Sequence, residues 1–301
     1  MTTTTSIETI KDQTPEKPKS PAGEVIDNLR RSVSGRIGIG LILIHLILVV
    51  ISPYIAPHDP LQNNAADRRV APSAEYFMGT DTTGRDVFSR ALTGGRTLII
   101  VSLVGTAIAL FWGGFVGILL GYIGGRADDF AMRLVDAFLA IPWLLFLLLI
   151  ISVVGTEAWI QALTFGFFYG IPIIRVARAA THDYVTREFV QAARARGESK
   201  RTVVLRELLP NVMDVLLVEG AMRWSWMLLA FASLSFLGFG VPPPTPDWGR
   251  MIAENRQILP LQPWATFGPT IMLSSLIIGI NLLADALAKA LGLDRSQGAP
   301  L

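Results

Sequence analysis

The sequence predicts an all-α integral membrane protein with six transmembrane helices. Three observations carry that prediction. Of its 301 residues, 51% are hydrophobic, and the mean hydropathy of +0.48 is a level that soluble domains rarely reach. The apolar residues are bunched into long runs, each near or above the roughly 17–25 residues a spanning helix needs. Lys and Arg outside these runs, with Lys289 at the end of the last run counted to the C-terminus, are unevenly shared between alternate connections, 18 against 7.

Residues 1–36 are polar, with a TTTT run and several Pro and Lys. They are expected to form a mostly disordered cytoplasmic tail with a short helix around Val25 to Arg31. The tail is too long and polar for a secretory n-region. No small-x-small cleavage site follows the first apolar run, so that run, residues 37–55, is expected to remain as an anchor. An extracytoplasmic loop is expected over residues 56–97. Residues 98–292 then form a five-helix core, with spans at 98–123, 134–154, 159 to about 174, 212–239 and 264–291. Arg175 and Arg178 come early and are expected to end the fourth span by snorkelling. Pro142, Pro172 and Pro269 fall inside spans, where kinks are tolerated. Residues 293–301 are the C-terminus. The Lys and Arg excess puts both termini and the basic loop 181–210 in the cytoplasm.

The second span carries Gly105, Ala109, Gly113, Gly117, Gly121 and Gly125, one small residue every four. Such a stripe lets another helix approach backbone to backbone. The expected partner is a helix of this bundle, the alternative a second subunit.

Between the fourth and fifth spans lies FVQAARARGESKRTVVLRELLPN, residues 189–211. Gln191 to Arg196 are strong helix formers. Gly197 stops that helix, and Ser199 caps a second short one running to Leu209. Pro210 then opens the next apolar segment. Ala192, Ala193 and Gly197 leave the corner without bulk, open to close approach by another protein. Arg194, Arg196, Lys200, Arg201 and Arg206 would equally suit a helix lying on lipid phosphates.

Five charged residues, Asp136, Asp214, Glu219, Arg223 and Asp285, lie within or at the edges of spans. Such residues are expensive in a membrane. Glu219 and Arg223 are one helical turn apart in the order that pairs well. They either fasten helices or line a solute path, with Trp224 and Trp226 beside them. Asp136 is expected to pair with Arg133. His45, His58 and His182 are scattered, and no metal site is expected. The absence of cysteine excludes disulfides and thiol chemistry. The net charge of +2 gives no reason to expect a nucleic-acid partner.

Several blocks together carry a family resemblance. The Ala192-Ala193-x₃-Gly197 run followed by Leu209-Pro210 resembles the coupling loop of bacterial ATP-binding-cassette importer permeases, with Gln191 where that motif has glutamate. GTDTTGRDVFSR, from Gly79 through Asp81, Gly84, Arg85 and Asp86 to Arg90, resembles a signature of the dipeptide, oligopeptide and nickel permeases. PHDP at 57–60 and SFLGFGVPPPTPDWG at 235–249 resemble further blocks of the same family. The resemblance implies a type I importer permease fold in a bacterial inner membrane. It also implies a homologous second permease subunit, two cytoplasmic ATPase subunits and an extracytoplasmic solute-binding protein. ATP and Mg would be bound by the ATPase subunits, since this chain has no G-x₄-GK[ST] loop. No cofactor and no enzymatic activity are expected of this chain. Solutes of relatives include dipeptides, oligopeptides, nickel complexes and oligosaccharides. An ion-coupled secondary carrier is the other class to consider, but the sequence shows no internal repeat of the kind such carriers use.

Overall fold

The computed structural model describes residues 21–293, and the expectations for residues 1–20 and 294–301 lie outside the described residues. Among the described residues the regular elements are helices, and the one β pairing is an isolated bridge between Thr80 and Asp86. Helix α1 (Pro21–Arg31) meets α2 (Val33–Ile55) at Ser32, whose hydroxyl accepts the Gly35 N–H at 3.3 Å. After a long loop come α3 (Val87–Thr93) and α4 (Arg96–Ile123). Then follow α5 (Gly125–Leu139), α6 (Trp143–Val154) and α7 (Ala158–Val185). The basic loop contains α8 (Glu188–Ala195) and α9 (Lys200–Thr202). Helix α10 (Leu209–Phe236), α11 (Trp248–Asn255) and α12 (Trp264–Ala290) complete the chain.

Two expected ends are corrected, and the third span, expected over 134–154 with Pro142 inside it, is broken there. Helices α5 and α6 are bent by 82° at the break before Pro142, because a proline disfavours helical backbone in the residue that precedes it. The helix that carries the fourth span does not end near 174. Helix α7 continues to Val185 because Asp128 and Asp136 of α5 supply carboxylates to Arg178 and Arg175. The short helix expected to stop at Leu209 does not stop. Helix α9 passes through a π turn, Val203–Leu208, straight into α10, making one rod over Lys200–Phe236. The turn has the Leu209 N–H bonded to the Val204 carbonyl, five residues back. It sits where the Pro210 ring would otherwise strain a regular helix.

The small-residue stripe packs within the bundle. A Cβ at Gly113 would lie 2.4 Å from the Gly170 carbonyl, one at Gly117 2.5 Å from that of Ile174, and one at Gly121 2.7 Å from that of Arg178. Each pair is 57 apart in sequence, so α4 and α7 run parallel. The segment between them must therefore bring the chain back across, and the bent α5–α6 pair does so. Helix α10 runs antiparallel to α4, with Leu110 against Gly220 and Met227 against Gly105. Helix α12 runs antiparallel to α2, where Gly38 meets the backbone of Gly279 and Leu283. His45, read as without function, staples this pair. Its ring nitrogens lie 2.8 Å from the Leu41 carbonyl and 2.9 Å from that of Met272.

Candidate translocation and coupling sites

The bundle has two distinct ends, one carrying the GTD–GRD block and the other the basic loop. At the first end the four charged residues of the block, Asp81, Arg85, Asp86 and Arg90, are all buried. Asp81 accepts the Arg85 side chain at 2.7 Å and the backbone N–H groups of Thr83 and Arg85. Burial alone would raise the Asp81 carboxyl, but the Arg85 guanidinium and these N–H donors outweigh it and hold the carboxyl below its usual range. Arg85 continues to Glu254 on α11 at 2.8 Å. Arg90 donates to the Pro60 carbonyl at 2.9 Å, which ties the PHDP block to α3. Asp86 caps α3, accepting from Phe88 and Ser89. Gly84 has φ +82°, and a Cβ there would sit 1.7 Å from the Asn64 carbonyl. Gly79, at φ +70°, is equally confined by the Val70 carbonyl at 2.4 Å.

The two sequence blocks of this end lock through Trp248. Its indole is 1% exposed, donates to the Ala91 carbonyl at 2.8 Å and fills the space a side chain at Gly95 would need. Beside it, Asp247 caps α11 through the Arg250 N–H at 3.1 Å and accepts the Ser235 hydroxyl at 3.0 Å. Burial pushes the Asp247 carboxyl up to about 6, despite those two donors. A folded-state value raised in this way means the contribution to stability is full below the unfolded value and is lost as pH rises through about 6. Asp247→Asn retains the cap and removes the ionisation. It is expected to stabilise this end by at most about 3 kcal/mol at pH 7.5, and by almost nothing near pH 4. Thermal unfolding from pH 4 to 8 checks this; an equal gain at both pH values would contradict it.

In the middle of the bundle, Glu219 and Arg223 pair as their spacing predicts. One Glu219 oxygen accepts Nε at 2.6 Å and Nη2 at 2.5 Å. The Glu219 side chain is 8% exposed and that of Arg223 25%. The exposed part of Arg223 opens onto a cleft of about 310 Å³ at the α5–α6 bend, walled by Phe138, Trp143, Phe168, Tyr169 and Trp226. Trp224 does not join this cleft. It turns the other way and donates to Ser102 on α4 at 3.0 Å. The expected Asp136–Arg133 pair is also replaced, since Asp136 pairs with Arg175. Asp214 is exposed, and Asp285 pairs with Lys289 at 2.8 Å.

At the basic end the corner forms as its residues predict. Gly197 has φ +76°, the Glu198 N–H reaches back to the Ala193 carbonyl at 3.2 Å, and the Ser199 hydroxyl accepts from Thr202. The expectation that Ala193 belongs to the open face of the corner is corrected. Ala193 and Val190 are fully buried against Ala177, Val203 and Leu208. The open face holds Gln191, Ala192, Ala195 and Gly197 instead. Nothing would lie within 4 Å of a Cβ at Gly197. Leu209 is half-buried and Pro210 exposed.

Sequence reading missed the Asp128–Arg178 clamp, in which two guanidinium nitrogens each lie 2.5 Å from a carboxylate oxygen of a 3% exposed Asp128. The available signal was an arginine inside an apolar run that needs a partner, but nothing in the chain indicated which carboxylate would reach it. It also missed that Gly94-Gly95 exists to admit Trp248.

These features define a polytopic helical membrane protein whose bundle carries a paired charge at mid-depth and a basic corner at one end. The family model for binding-protein-dependent transport system inner membrane components matches residues 113–294. The chain is 31% identical over 280 residues to the dipeptide transport system permease protein DppC of Haemophilus influenzae, covering 91% of this chain and 95% of that one. It is 31% identical to the di/tripeptide transport system permease protein DppC of Pseudomonas aeruginosa, over 90% and 92% of the two chains. It is 33% identical to a putative peptide permease protein of Brucella suis, over 89% and 90%. The chain belongs to the family of binding-protein-dependent transport system inner membrane components.

Proposed function

We propose that this chain is one of two permease halves of an ATP-driven importer for dipeptides or short oligopeptides. Peptides are favoured because the similar proteins named above carry peptide descriptions over nearly their whole length. Both termini and the basic corner lie in the cytoplasm, and the GTD–GRD end faces outward towards a solute-binding protein. Two ATPase subunits hold ATP and Mg and receive the corner, one from each permease half. This chain forms no covalent bonds and holds no cofactor.

One observation carries the mechanism. The helical rod Lys200–Phe236 starts directly at the corner's Ser199 cap and carries the Glu219–Arg223 pair. A force applied to the corner as the ATPases close reaches mid-membrane without crossing a loop. The rod is packed antiparallel against α4, so its tilt shifts the cleft at the α5–α6 bend, and the path opens to alternate sides. The aromatic walls of the cleft suit peptide side chains, and Arg223 suits a peptide carboxylate.

Proteoliposomes holding both permeases and the ATPases test the proposal. Labelled dipeptide uptake is expected to require ATP and the binding protein. Uptake driven by an ion gradient without ATP would overturn it. Because the chain has no cysteine, single cysteines report orientation separately. One at exposed Ser73 is expected to react with an impermeant reagent from outside, and one at Ser199 is not.

A further inference from the structure

Beside the corner, between the end of α4 and the start of the Lys200–Phe236 rod, lies an open groove of about 1100 Å³. We propose that it holds an anionic phospholipid of the cytoplasmic leaflet, with the phosphate at the corner and the acyl chains along α4. The groove has two chemically distinct parts. One wall is apolar and belongs to spanning helix: Phe115 and Ile123 are 53% and 64% exposed, with Leu119 between them and Leu205 opposite. The other rim carries Arg194, Lys200 and Arg201.

The charges at that rim are not matched from within. Its one carboxylate, Glu198, is engaged by Arg196 at 2.6 Å. Neither Lys200 nor Arg201 forms an ion pair among the described residues. Arg194 lies over the Tyr122 ring at 5.1 Å, and both residues line the groove. The sequence offered five cations as possible headgroup contacts, and the fold sorts them. Three line the groove, whereas Arg196 is paired and Arg206 is exposed but not among its lining residues. The π turn contributes by placing Val204 and Leu205 on the groove wall.

An amphiphile with an anionic head matches both parts, since a cationic cluster at the headgroup level beside exposed apolar helix recruits such lipids. A soluble ATPase would leave the apolar wall uncovered, and a neighbouring apolar helix would leave the three cations without partners. The lipid would brace the corner against α4, so the same groove bears on coupling. The inference rests on the proposed orientation only for the choice of leaflet.

Native mass spectrometry of the purified, assembled importer titrated with phosphatidylglycerol or phosphatidylcholine reads the site directly. Wild type is expected to retain phosphatidylglycerol in preference to phosphatidylcholine. Lys200→Gln with Arg201→Gln is expected to weaken that retention roughly 30-fold. Leu119→Trp, which fills the groove without changing charge, is expected to weaken it as well. Both variants should stay assembled, which the same spectra report. Equal retention of the two lipids, or unchanged retention in both variants, would overturn the proposal. So would an efficient disulfide between Ile123→Cys and a cysteine on the second permease, which would make the groove a subunit interface. Orientation labelling at Ser73 and Ser199 is independent of every one of these outcomes.

Discussion

Arg223→Ala alone is expected to abolish peptide uptake and to lower the stability of the purified complex by about 3–5 kcal/mol, the cost of stranding one partner of a buried pair. The two single changes should not be equal. Removing Arg223 leaves Glu219, with 8% of its side chain exposed, without its counter-charge. Removing Glu219 leaves Arg223, which already opens onto the cleft at the α5–α6 bend and can reach water there. Glu219→Ala is therefore expected to be the milder change for stability. Replacing both together, Glu219→Leu with Arg223→Met, should restore the melting midpoint to near wild type, since no charge is stranded. The double variant then separates two roles. If the pair serves the peptide path, uptake stays lost although assembly is normal. If uptake returns with stability, the pair only fastens α10. Melting of the purified complex and uptake in proteoliposomes are the two measurements.

The second large effect is a contrast between neighbours in the corner. Ala193→Trp is expected to unseat α8 from α7 and the π turn, because Ala193 is fully buried against Ala177, Val203 and Leu208. No rotation of one side chain makes room for an indole in a closely packed core. Ala192→Trp adds the same bulk one residue away, on the exposed face. It should leave the permease folded and inserted but prevent co-purification of the ATPase subunits, because a helix seated in a groove has no spare volume. Gly197→Val is expected to act on the backbone. It has open space around it but φ +76°, where a branched residue is strained by about 1–3 kcal/mol. Its expected signature is basal ATP hydrolysis with little stimulation by the loaded binding protein. Equal, normal stimulation in Ala192→Trp and Gly197→Val would mean that the corner rests on lipid and does not meet an ATPase.

Much of the local structure was legible because short-range rules decide it. Ser199 caps a helix, and Gly197 ends one, because each acts on groups a few residues away. The Glu219–Arg223 pair lies on one turn of one helix. The small-residue stripe of α4 marked a close helix contact, although its partner, α7, was not nameable from the stripe. Where the reading failed, the missing information was a distant partner. Arg175 and Arg178 looked like the end of a span because a lone arginine does not belong in hydrocarbon, yet Asp136 and Asp128 let α7 run eleven residues beyond the expected end at 174. Ala192 and Ala193 are indistinguishable in composition, and only the packing of α8 decides which is core and which is face.

By itself, then, the sequence determined the class of fold, the number of crossings, the corner at Gly197 and Ser199 and the pairing of Glu219 with Arg223 within a turn, because hydropathy and capping act over short stretches of chain. Only the tertiary structure decided that the third crossing is bent, that α4 and α7 are parallel partners, that Trp248 fills the space kept open by Gly95, and that the corner is continuous with the rod carrying Arg223. These depend on contacts between residues dozens to hundreds of positions apart, and such contacts are set by which surfaces can approach closely and which buried charges find a partner.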